Sequence, residues 1–111
     1  PIIQKAFDDF PIYMKDKYNL AISRKRHDIL YITFAGEDTY QSYETLYESG
    51  PTSGVIFKPN RIYLKCRDSE FDIISASSKP TIRHEVFHFL EFQYGVDSIV
   101  SHQDAYSFGA K

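Results

Sequence analysis

The sequence predicts an α+β domain, on three observations. Apolar residues fall at helical spacing in the N-terminal stretch, β-branched and aromatic runs occupy the middle, and a second helical stretch, TIRHEVFHFLEFQYG, covers 81–95. A chain of 111 residues holds one core, so a single domain over 1–111 is expected.

In the first stretch, IIQKAFDDFPIYMKDKY, residues Ile3, Ala6, Phe7, Phe10, Tyr13 and Met14 recur at mostly three- and four-residue steps. This predicts a helix with a break or kink at Pro11, its apolar face covering a sheet. LAISRKR (20–26) and DILYITFAG (28–36) predict two strands bounded by Asn19, Asp28 and Gly36. Over 38–50, Tyr40, Tyr43, Leu46 and Tyr47 form one helical stripe that stops at Gly50 and Pro51, although the same tyrosines also suit a long loop. Strands at 55–57 and 61–66 follow, joined by Lys58-Pro59-Asn60, with proline suited to a turn or a sheet edge.

Composition removes several function classes. A net charge of −2 and a pI near 6.1 give no strong nucleic-acid signature, and the one basic cluster, SRKRH at 23–27, reads as a solvated strand end or turn. Nothing approaches the roughly 18 consecutive apolar residues of a membrane span. The N-terminus is not built like a secretory signal, so a soluble, cytoplasmic protein is expected. A single cysteine, Cys66, excludes an internal disulfide or a multi-cysteine metal site and reads as a packed small hydrophobe.

The second helical stretch contains His84-Glu85-Val86-Phe87-His88, an H-E-x-x-H pattern. Histidines four residues apart on a helix differ by about 40° in direction, so both imidazoles reach one ion, with the glutamate beside them as a base. At about 100° per residue Glu91 falls on the same face, while Ile82, Val86, Phe89 and Leu90 point the opposite way. With four histidines in the chain, chance yields this pattern on the order of once in a hundred such sequences. Ser77 or Ser78 as cap, Pro80 in the first turn and Gly95 as terminator frame the helix.

A catalytic zinc takes three protein ligands, so a third is needed. The helix offers Glu91, which lies too far along the axis to reach the ion easily and suits a supporting role behind a ligand or a plain surface acid. Downstream stand Asp97, His102 and Asp104. In SHQDAYSFGAK, Ser101 and Asp104 approximate a capping box for a short C-terminal helix, which puts His102 on a rigid first turn and makes it the preferred donor.

These residues resemble the Spartan-like (SprT-like) zinc metallopeptidases, members of the H-E-x-x-H zincin superfamily. His84, Glu85, His88, His102 and Tyr106 match that family's pattern, and upstream Gly54, Asn60, Ile62 and Leu64 match its strand pair. The resemblance spans residues 54–106. Gln103 stands where the family usually has glycine, and neither a cysteine-rich zinc ribbon nor a basic extension is present. It implies a minimal zincin-like domain: an N-terminal helix, a small mixed or antiparallel sheet, the H-E-x-x-H helix and a short C-terminal helix.

The expected activity is zinc-dependent hydrolysis of peptide bonds, with His84, His88 and His102 holding Zn²⁺ and Glu85 as general base. Its partner is a protein or peptide substrate, which strand 61–66 would pair by β-augmentation unless that strand is internal. Tyr63, Tyr94 and Tyr106 are candidate oxyanion donors that serve equally well as packing residues. The alternatives are an inactive zincin-like binding module and a truncated or latent peptidase. The sequence does not specify an oligomeric state.

Overall fold

The apolar spacing of the N-terminal stretch folds as one helix, α1 (Ile2–Tyr18), in a computed structural model that describes residues 1–35, 54–57, 59–65 and 79–111. The break expected at Pro11 does not occur. Proline removes one backbone donor, but buried Ala6 and Phe10 before it and Tyr13 and Met14 after it anchor both halves to the same core. Asn19 ends the helix with a left-handed φ of 51°, a conformation asparagine tolerates well. The expected helix over 38–50, Cys66, and the capping serines Ser77 and Ser78 lie outside the described residues.

The strand expected over 20–26 is absent, and the chain has no regular structure until β1 (Tyr31–Ala35). The reason is non-local. The amides of Lys25 and Arg26 donate to the Gln93 carbonyl at 2.7 and 3.0 Å, so they pair with a helix end rather than a strand. The Gln93 side chain, fully buried, completes the latch: its Oε1 accepts from the Asp28 amide at 3.0 Å and its Nε2 donates to Asp28 Oδ2 at 2.9 Å. The basic cluster is absorbed the same way, with Arg24 over the Phe7 and Phe89 rings and Arg26 paired to Asp28.

β2 (Gly54–Phe57) and β3 (Arg61–Lys65) form the expected hairpin around Pro59-Asn60. β3 also pairs in parallel with β1, from Tyr31 opposite Arg61 to Ala35 opposite Lys65, giving a mixed three-stranded sheet of order β1-β3-β2. Strand 61–65 is therefore internal, the second of the two roles expected for it, and its backbone is not an open edge for substrate. Asn60 sets the parallel register: its carbonyl accepts from the Tyr31 amide at 2.9 Å, and its side chain donates to the Ile29 carbonyl at 2.8 Å.

The H-E-x-x-H stretch forms α2 (Lys79–Tyr94), with Pro80 in its first turn. Gly95 terminates it at φ 66°, its amide reaching the Phe92 carbonyl while that of Val96 reaches Glu91, the paired bonds of a Schellman ending. α3 (His102–Gly109) follows, with Ser101 and Asp104 forming the expected capping box.

Ile82, Val86, Phe89 and Leu90 are buried as their spacing predicts, but so are Phe87 and Arg83. α2 is the central element, covered by α1, α3 and the sheet. Phe87 meets Phe10 at 5.2 Å, Tyr13 at 5.8 Å and Phe108 at 5.3 Å between ring centroids, which fuses the three helices into one aromatic core. Arg83 joins the same helices by polar contacts: Nη1 to Asp9 Oδ2 at 3.1 Å, Nε to the Phe108 carbonyl at 3.2 Å, and its guanidinium over the Phe108 ring. No helix among the described residues is long and apolar enough to cross a membrane.

Candidate metal centre

One helical turn on α2 brings His84 and His88 together, their Nε2 atoms 3.2 Å apart. α3 supplies the third imidazole, with His102 Nε2 at 3.1 Å from His84 Nε2. These three histidines lie close enough to hold a metal ion, and no other such group occurs among the described residues.

The other expected donors are elsewhere. Asp97 is exposed in the turn after α2, outside the cluster. Asp104 faces away from the histidines, toward Tyr13, Lys17 and Tyr18 of α1. Glu91 lies beside the cluster but meets the far side of the His88 ring, its Oε1 at 2.8 Å from His88 Nδ1. As a carboxylate it accepts, so it fixes the hydrogen on His88 Nδ1 and leaves the Nε2 lone pair facing the centre.

His84 and Glu85 differ sharply in electrostatics. Burial, and then the neighbouring His88 and His102, depress the His84 imidazole to about 4, so it stays neutral and able to donate a lone pair at physiological pH. Its Nδ1 is buried without a hydrogen-bond partner among the described residues. Glu85 approaches the same centre, Oε1 at 3.8 Å from His84 Nε2. Burial pushes its carboxyl up to about 7, against a smaller lowering by His88, a value suited to exchanging a proton near neutrality.

Of the three tyrosines, Tyr106 borders the site: its exposed ring lies 4.4 Å from His84 and 4.8 Å from His102, centroid to centroid. Tyr94 packs on Phe10, and Tyr63 is half-buried in β3. Gly109 is a positioning element that the sequence reading missed. A Cβ there would stand 2.7 Å from the Pro80 carbonyl oxygen, so only glycine lets α3 lie this close to the start of α2. A glycine near the end of a helix reads as an ordinary terminator, and the close approach becomes visible only in three dimensions.

Compared with protein-family models, curated proteins and solved structures, the chain matches none.

Proposed function

We propose that this chain is a zinc-dependent peptidase of minimal zincin-like type, with His84, His88 and His102 as the ligands and Glu85 as general base. The observation that carries the reading is the convergence of three Nε2 atoms beside a buried carboxyl group. The two separations from His84 Nε2, 3.1 and 3.2 Å, approach the roughly 3.3–3.4 Å edge of a tetrahedral site with bonds of about 2.0–2.1 Å, and all three donor atoms lie within 4.8 Å of one another. An all-imidazole set with one adjacent carboxyl fits zinc better than calcium or magnesium, which favour oxygen donors.

When bound, zinc would supply Lewis acidity that polarises a carbonyl and brings a water toward a pKa of about 7. Glu85 then takes the proton of the attacking water at its carboxylate and returns it to the departing amine nitrogen. Glu91 holds the His88 ring in the orientation that presents Nε2. Among the described residues β2 is a sheet edge, and it packs against α2. Its outer backbone edge can therefore take an extended peptide by β-augmentation, the role first expected of strand 61–66.

Zinc analysis of the purified chain combined with a peptide-library digest tests the proposal. About one zinc per chain and cleavage that Glu85→Gln abolishes, by at least the roughly 10²-fold ascribed to general base catalysis, support it. Zinc without cleavage favours the binding-module alternative, and no zinc removes the peptidase reading.

A further inference from the structure

The third histidine is exposed on the first turn of an eight-residue helix, and a helix this short is marginal without outside support. Its position is therefore set by what holds the helix. Phe108 and Gly109 dock the far end. The near end is held by Asp104, a carboxylate with no exposed surface, two residues beyond His102.

Asp104 does two things at once. Oδ2 accepts from the Ser101 amide at 2.8 Å, closing the cap that starts α3. Both oxygens also accept from the last turns of α1: Tyr13 Oη at 2.7 Å and Lys17 Nζ on Oδ1, and Tyr18 Oη on Oδ2. The Lys17 and Tyr18 bonds tie the first turn of α3 to an element that contributes no ligand.

The geometry points to Asp104 as a positioning residue whose clamp by Tyr13, Lys17 and Tyr18 fixes His102 for the ion. The end of α1 is thereby a remote part of the metal site. This inference rests on the metal reading above. It implies reciprocity: undoing the clamp weakens metal binding through His102 alone, while metal binding tightens the docking of α1 on α3.

The test titrates zinc into the 111-residue chain and its variants with labelled histidines, reading apparent affinity by chelator competition and each imidazole by NMR. Tyr18→Phe keeps its ring and loses one bond, Lys17→Met removes the charge, and Asp104→Asn weakens the whole clamp. Gln93→Leu, which loosens the distant latch, controls for general destabilisation. The expected result is a loss of about tenfold or more in affinity for the clamp variants, the lower end for groups supporting a ligand. His102 then responds weakly to zinc, whereas His84 and His88 respond as in the parent. Unchanged affinity in Tyr18→Phe and Lys17→Met, or an equal loss in Gln93→Leu at matched stability, overturns the inference while leaving the metal site standing. A parent chain that binds no zinc overturns the metal reading itself and the inference with it.

Discussion

The Nε2 atoms of His84 and His102, eighteen residues apart in the chain, lie 3.1 Å from each other. A single hydrogen can bridge this pair, but His84 Nε2 also faces His88 Nε2 at 3.2 Å, so one hydrogen leaves one of the two contacts unbridged. An ion among the three histidines, whose donor atoms lie within 4.8 Å of one another, would use three lone pairs together. Removing His102 by His102→Ala should therefore cost more zinc affinity than the roughly 10–100-fold typical of supporting residues. Isothermal titration against a competing chelator measures this, and an affinity equal to the parent's would assign the third ligand elsewhere.

Glu91 acts on the site from behind. Glu91→Gln keeps the shape but loses the carboxylate that orients His88 Nδ1. The expected outcome is zinc affinity reduced by about 10–100-fold with thermal stability of the metal-free chain little changed. A melting curve and a competition titration on the same sample separate the two effects.

The pH dependence of the metal-free chain should carry the signatures of Glu85 and His84 in opposite directions. The Glu85 carboxyl is raised to about 7, so the stability linked to keeping its proton is present below about 4.5 and lost as pH rises through 7. The His84 imidazole is lowered to about 4, so its contribution is present above about 6.5 and lost as pH falls toward 4. Glu85→Gln removes the alkaline loss alone. It should stabilise the metal-free chain at pH 8 by about 3 kcal/mol, the order implied by the Glu85 shift. Urea denaturation at pH 5 and pH 8 checks the sign: a stabilisation no greater at pH 8 contradicts it.

Gly109→Ala places a methyl group against the Pro80 carbonyl at 2.7 Å, closer than packing permits. α3 must shift, at a cost of about 1–3 kcal/mol. Because α3 carries His102, the variant should lose zinc affinity along with melting temperature. Retained affinity with unchanged stability would show that the helix pair yields easily.

What could be read from the sequence was what depends on near neighbours. The i, i+4 histidines, the capping box at Ser101 and Asp104, the Gly95 terminator and the turn at Pro59-Asn60 are all set within a few residues. The misreadings came from distant partners. The apolar residues of 20–26 are partly buried, as Leu20 and Ile22 show, but Gln93, far along the sequence, decides where the backbone donors of Lys25 and Arg26 go. Likewise the hairpin was evident, yet the parallel pairing with β1 that makes β3 central was not. Phe87 and Arg83 lie off the apolar stripe and are buried because two helices flank α2, which a one-helix projection does not capture. His102 was chosen on chemistry, and its convergence with His84 depends on Gly109 and Asp104.

Anomalous X-ray scattering at the zinc edge, on crystals of the full chain grown with zinc, tests the central claim most directly. The account predicts one strong peak bonded to the Nε2 atoms of His84, His88 and His102, at about 2.0–2.1 Å from each. A peak at other residues, or none beside His84 and His88, would contradict it.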